Sequence, residues 1–227
     1  YIKLFTDTSI LNFPKMFMNT FVIAIFTCII STIFVLSVAY SMSRMRFKMR
    51  KPFMNIAMII GLFPSFMSMI AVYYILRALN LADGAMIRVA LIIVFSAGSG
   101  AGFYVAKGFF DTISKSLDEA AIIDGATRWN VFTKITVPLS KPIIVYTILT
   151  SFMGPWVDFI FGKVICRADA QYYTVSIGLW KMLEKEYIDS WYTCFAAGAV
   201  VVSIPIAILF LMTQKFYVEG MTGAVKG

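Results

Sequence analysis

Asp158 is the single carboxylate inside five long apolar stretches of this 227-residue chain, and Trp156 stands two residues before it. A carboxylate in such a stretch costs roughly 2.5–3.5 kcal/mol to place in a membrane, so it marks either a site or a buried pair. An aromatic ring beside a carboxylate is also a pairing that grips saccharides. Residues i and i+2 point to different faces of a helix, however. Two roles stay open for Asp158: contact with a polar substrate, or neutralisation by Lys163 or by a group on another subunit. The other pattern with chemical meaning is Glu119-Ala120-Ala121, then Gly125, then Ile135-Thr136-Val137-Pro138. Three residues separate the alanine pair from the glycine, and nine separate the glycine from the isoleucine.

Several chemistries are excluded outright. Histidine is absent, which removes Ser-His and Cys-His catalysis and histidine metal sites. Cys28, Cys166 and Cys194 are scattered without a C-x-x-C pair and read as small buried hydrophobes. No G-x-x-x-x-G-K-[ST] phosphate loop occurs, so nucleotide chemistry belongs to another chain. No catalytic residue, metal ligand or cofactor of its own is expected.

The elements that must position these residues are membrane helices. Hydrophobic residues make up 60% of the chain, charged residues only 14%, and mean hydropathy is +0.82. Soluble domains are about a quarter charged. A span needs about 20 apolar residues, and Met16–Ser43, Pro52–Leu76, Val89–Ala106, Pro142–Gly162 and Ser190–Gln214 supply five. The expected fold class is an all-α polytopic membrane bundle. Gly61 and Pro64, Gly154-Pro155, and Pro205 interrupt three of these spans, and Gly98-Ser99-Gly100-Ala101-Gly102 leaves one face of a fourth almost bare.

Charge sets orientation. Arg44, Arg46, Lys48, Arg50 and Lys51 crowd one loop with no acid among them, while the loop 163–189 balances four basic residues against four acidic ones. The positive-inside rule predicts that 44–51, 107–141 and the C-terminal tail 215–227 are cytoplasmic. Residues 1–15, 77–88 and 163–189 then face outward. The same flanking bases account for the net charge of +8, so nucleic acid is not an expected partner.

Within 107–141, Ser116 lies at capping-box spacing from Glu119 and predicts a helix over Leu117–Asp124. Gly125 would end it in the left-handed region. Thr127 would cap a second helix, Arg128–Thr136, with Pro138 stopping it, and Ser140 with Pro142 would start the fourth span. Asp118, Glu119 and Asp124 form an acidic group followed by Arg128 and Lys134.

The spacing from Glu119 to Pro138 resembles the EAA loop, E-A-A-x3-G-x9-I-x-L-P, of binding-protein-dependent ABC importer permeases. Six of the seven fixed positions match, with Val137 standing where the pattern has Leu. Arg44-Met45-Arg46-Phe47, Asp124 to Thr127 and the C-terminal Gly220–Gly227 are similar to MalG-type sugar permeases. Gly154-Pro155-Trp156-Val157-Asp158-Phe159-Ile160 resembles the maltodextrin branch. The resemblance implies a type I ABC importer permease fold with six spans in the family and five here. One N-terminal span is therefore expected to precede Tyr1.

It further implies a single permease domain over 1–227 in the bacterial cytoplasmic membrane. The expected partners are a MalF-type permease, two MalK-type ATPases that carry ATP-Mg, an extracytoplasmic sugar-binding protein and the lipid bilayer. Carried over, Glu119, Ala120, Ala121, Asp124, Gly125, Ile135 and Pro138 couple to the ATPase. Trp156 and Asp158 are candidates for the substrate pathway, and Tyr172 and Tyr173 for contact with the binding protein. Aromatics also populate membrane interfaces without such a role. The tail Gly223–Gly227 corresponds to a segment that in the family reaches the ATPase interface, or is frayed. The implied activity is uptake of maltose or maltodextrin. A galacto-, raffinose-type or β-linked oligosaccharide is the alternative. A stand-alone secondary transporter would need internal repeats and intramembrane ion ligands, and no repeat is visible.

Overall fold

The computed structural model describes residues 1–62, 65–98, 102–167 and 169–223. Pro64, the middle of the small-residue run at 99–101 and the tail residues 224–227 lie outside the described residues. Those described are helical or irregular, with no strand among them.

The organising element is α2, Phe13–Arg44, 32 residues long, on which the short helices α1, Ile2–Thr6, and α12, Val175–Met182, also pack. Asn12 starts it by accepting a hydrogen bond from Lys15 N at 3.0 Å, and Pro14 occupies an early position where its missing N–H costs nothing. Small and hydroxylated residues (Asn19, Thr20, Ala24, Thr27, Ser31, Ala39) recur along its buried face. They let neighbouring helices approach closely. α10 (Lys141–Val157), α6 (Gly102–Thr112) and α5 (Met86–Gly98) pack along α2, and α13 (Ile188–Gly223) packs on α10.

Two apolar clusters hold the bundle. One, at the Phe13 end of α2, gathers Phe13, Met16, Trp156, Ile165, Val175 and Ile177. The other, at the Arg44 end, gathers Val35, Leu36, Ala39, Phe103, Phe110 and Ile143. Much apolar surface is left uncovered. α3 (Arg50–Gly61) buries no residue, and Ile56, Ile59 and Ile60 on it are exposed, as are Ile204, Ile208 and Leu211 of α13. Faces of this extent require lipid or a partner subunit.

The five expected spans are realised unevenly. α2 and the Ile188–Phe216 part of α13 are each long and apolar enough to cross a membrane as one helix. The second stretch is described as α3 and α4 (Ser65–Ala78), and the third as α5 and α6, in each case on either side of residues outside the described ones. The fourth stops at Asp158 instead of continuing to Gly162, and α11 (Ile160–Cys166) begins a separate short helix. Counting bent pairs as single spans gives up to four among the described residues, by length and composition. Pro205 and Pro155 sit inside helices, Pro155 two residues before α10 ends.

Candidate functional site: the EAA hairpin and the cavity beside it

Residues 114–139 fold as a hairpin of short helices at the Arg44 end of the bundle. Its first arm is α7, Lys115–Ile123, two residues earlier at its start than the capping box suggests. The cap is Ser114, whose Oγ accepts from Ser116 N at 3.3 Å, so Ser116 lies inside the helix. A serine two residues upstream of the expected cap competes equally well for the free N–H groups.

α7 closes with a complete Schellman motif. Gly125 has φ +84°, its N–H reaches Ile122 O at 3.0 Å, and Ala126 N–H reaches Ala121 O at 2.9 Å. The left-handed glycine read from the sequence is therefore the pivot of the hairpin. Thr127 caps the second arm as expected, accepting from Asn130 N at 3.2 Å.

The second arm departs from expectation. After α8 (Arg128–Val131) the chain takes a π-helical turn over Phe132–Thr136 and then a last turn, α9, Val137–Leu139. Pro138 does not stop it. It sits at the start of α9, where a π turn has already shifted the hydrogen-bond register and no N–H is required. The break comes at Ser140, where the arm meets α10 at 81°. Ser140 gives α10 no side-chain cap, although Pro142 does occupy its first turn.

Three contacts pin the hairpin to the bundle. Arg44, at the end of α2, lies 3.2 Å from Asp118 and donates to Phe110 O and Ile113 O, both at 2.9 Å. Tyr40 OH donates to Arg128 O at 3.3 Å, and its ring packs tilted against Phe132 with centroids 4.7 Å apart, and Phe132 in turn touches Trp129. Val131 is buried beneath. Asp118 thus faces inward, while Glu119 and Asp124 remain exposed; neither forms an ion pair with Arg128 or Lys134 among the described residues. Ala120, Gly125 and Pro138 are exposed, Ala121 and Ile135 half-buried. Facing away from the bundle are Ile123, 85% exposed, and Trp129, 69% exposed, with Leu117 also exposed, while Ile122 and Glu119 edge a cleft toward Arg44 and Tyr40. An apolar knob flanked by two free carboxylates is a docking surface in chemical terms. Neither Arg44 nor Tyr40 is legible in the sequence as an anchor; Arg44 reads there as one of several topological charges and as part of the Arg44–Phe47 resemblance.

A second feature is a cavity of about 1220 Å³ among α2, α4, α5 and α10. Its walls are mostly apolar, but Thr147, Thr150, Ser151 and Gly154 of α10 fall on one face and lead to Asp158. Asp158 ends α10 in an extended conformation, and its Oδ1 accepts from Gly162 N at 2.9 Å, bridging the break to α11. Lys163 is not its partner, because the ammonium lies over the Tyr173 ring at 5.5 Å. Trp156 points the other way, buried among Phe17, Phe21 and Phe152 and outside the cavity lining. The two pathway candidates are therefore on separate sides of α10.

At the far end, the 163–189 segment is tied down rather than projecting. Asn19 Nδ2 donates to Gln171 O at 2.9 Å and Tyr173 O at 3.2 Å, while Arg88 Nε donates to Asn19 Oδ1 at 3.0 Å. Val175 N donates to Thr20 Oγ1 at 2.9 Å. Tyr173 is buried and its OH donates to Arg167 O, and Tyr172 lies half-buried under Arg88. The exposed aromatic of this segment is Trp180. Burial pushes the Cys166 thiol up to about 12, with nearby Asp169 adding to the shift.

The family model described as "binding-protein-dependent transport system inner membrane component" matches residues 35–218. The chain belongs to that family, and it is accordingly an inner-membrane transport component. Among its relatives, the galactooligosaccharides transport system permease protein GanQ of Bacillus subtilis (strain 168) is 34% identical, covering 100% of this chain and 79% of its own. The maltodextrin transport system permease protein MdxG of the same strain is 33% identical over 99% of this chain and 79% of its own. The maltose/maltodextrin transport system permease protein MalG of Escherichia coli (strain K12) is 33% identical over 83% and 64%. In three dimensions the fold is similar to a chain from the crystal structure of a bacterial ABC transporter involved in import of the acidic polysaccharide alginate. That match has a TM-score of 0.76 and 25% identity, covering 96% of this chain and 78% of the other.

Proposed function

We propose that this chain is the MalG-type permease subunit of a binding-protein-dependent ABC importer for oligosaccharides. It forms half of the translocation pathway beside a MalF-type permease and takes its power stroke from two MalK-type ATPases that bind ATP-Mg. An extracytoplasmic binding protein delivers the sugar. The observation that carries this reading is the EAA hairpin: a glycine-pivoted element, anchored on α2, with Ile123 and Trp129 presented outward and Glu119 and Asp124 free beside them. Such a part transmits movement between a membrane bundle and a docked domain. The basic residues of 44–51 support a cytoplasmic position for it.

For substrate, the Gly154–Ile160 stretch and the MdxG and MalG relatives support maltodextrins. The GanQ relative, matched over the whole chain, supports galactooligosaccharides as the second reading. The hydroxyl-bearing face of α10 is the surface that would meet the sugar in either case. Uptake of radiolabelled maltotriose and of a β-galactotriose by the full importer in proteoliposomes separates the two. Transport of neither, with a folded complex, would refute the oligosaccharide assignment.

A further inference from the structure

Between the EAA hairpin and the loop that joins α2 to α3 lies a small cleft of about 260 Å³. Five basic side chains line it (Arg44, Arg46, Arg50, Lys115 and Arg128) against two carboxylates, Asp118 and Glu119. Arg44 is already engaged by Asp118. Among the described residues, Arg46, Arg50, Lys115 and Arg128 make no side-chain hydrogen bond and no ion pair, which leaves four cationic groups against Glu119 and against Asp111, which acts on Arg50 from a distance while bonded to Lys107 and Ser43. The positive-inside rule accounts for Arg46 and Arg50, which share their loop with Lys48 and Lys51. The same rule admits Lys115 and Arg128 to the cytoplasmic segment 107–141, but it does not explain their convergence, from more than 60 residues later, on the cleft that Arg46 and Arg50 line. The supports are fixed: Arg44 by two backbone carbonyls, Arg128 through its carbonyl bond to Tyr40, and Lys115 at the first turn of α7.

We propose that this cleft is a phosphate-group site, occupied by the phosphodiester of an anionic phospholipid, that ties the hairpin to the α2–α3 junction. Ligand pockets for drug-sized molecules run to about 300–1,000 Å³, so this one suits a single phosphate and not a nucleotide or an oligosaccharide. Its position at the end of the long span α2 is the depth at which headgroups lie. Guanidinium forks match phosphate oxygens bidentately, and three of the four unengaged cations are arginines. Free inorganic phosphate shares this chemistry and is the other source of the same group. The inference concerns binding at this cleft and does not depend on which sugar is carried.

The test uses the full-length chain purified with its partner subunits in nanodiscs. Retained phosphatidylglycerol is counted by native mass spectrometry, and the same complex in neutral phosphatidylcholine discs is titrated with inorganic phosphate. The variant pair Arg50→Gln with Arg128→Gln is compared with Lys48→Gln with Lys51→Gln, which removes equal charge from outside the cleft. Each cleft arginine that holds the phosphate by charge-assisted hydrogen bonds should contribute about tenfold to phosphatidylglycerol affinity, so the first pair loses about 100-fold, while Lys48 and Lys51 act only through the surface field and lose at most about fivefold each. Arg50→Lys with Arg128→Lys should recover most of the loss, which guards against a folding defect. Phosphate binding in neutral discs that is lost in the first pair alone also supports the site, with a free anion as its source. Equal losses in both glutamine pairs would reduce the effect to a diffuse surface field and overturn the proposal. Unchanged lipid retention with weakened ATPase attachment in the first pair would overturn it too, by making the cleft a contact for an acidic protein surface.

Discussion

Replacing Gly125 tests the hairpin at its pivot. The residue sits at φ +84°, donates to Ile122 O, and has no atom within 4 Å of where a Cβ would lie. Alanine therefore meets no clash, and its cost is backbone alone. A left-handed L-residue costs about 1–2 kcal/mol, partly offset by about 0.4–1 kcal/mol from a less flexible unfolded chain. The net is about 1 kcal/mol, roughly a fivefold shift against the closed hairpin. Asparagine tolerates this region better and should lie near wild type. Proline fixes φ near about −65° and removes the N–H, so neither Schellman bond can form and α8 must leave its place. The assay is sugar-stimulated ATP hydrolysis by the reconstituted importer, with membrane insertion checked in parallel. The expected order is Gly, Asn, Ala, then Pro at background. Normal stimulation in Gly125→Pro would refute the pivot. Alanine as defective as proline would refute the backbone argument, since the space at Cβ would then be filled by a docked partner.

Asp118→Asn should weaken the hairpin's attachment, because Arg44 is only 5% exposed and would lose its charge partner. Breaking a buried pair costs about 3–5 kcal/mol, and the two carbonyls that Arg44 keeps favour the lower end; faster limited proteolysis of 115–139 is the readout. Asp158→Asn keeps an oxygen for the Gly162 N–H and should leave assembly intact, while lowering uptake if the charge meets sugar. Trp156→Ala empties a buried aromatic cluster and should destabilise the complex by about 3–5 kcal/mol whatever the substrate, a pattern readable by thermal melting. For topology, a cysteine at Asp169 should react with an impermeant thiol reagent on intact cells and one at Lys48 only after lysis; the reverse labelling would invert the orientation. Native Cys166, buried and with its thiol pushed up to about 12, should stay unlabelled at neutral pH.

Local backbone chemistry was the most legible part of this protein. Gly125 and Thr127 act as their residue types dictate, because a left-handed turn and an N-cap depend on neighbours in sequence alone. The span assignments followed composition, which reports burial in lipid but not continuity. Asp158 breaks the fourth stretch because its carboxylate finds the Gly162 N–H of the next helix, a partner that periodicity cannot reveal. Pro138 passes where a stop was expected, since a π turn ahead of it absorbs the missing donor. The roles of Arg44, Tyr40 and Asn19 depend on segments 66–154 residues away and so had no local signal. Tyr173 likewise has the composition of a surface probe but the position of a buried strut.

The central claim is that this chain drives transport through ATPases seated on the EAA hairpin. Affinity purification of the tagged full-length chain from its own membranes, followed by identification of what accompanies it, tests this most directly. A second permease and an ABC ATPase should co-purify, and Glu119→Lys, which reverses an exposed carboxylate beside Ile123, should release the ATPase while the second permease stays. Recovery of the chain without any ATPase, or an ATPase held equally well by the Glu119→Lys protein, would contradict the account.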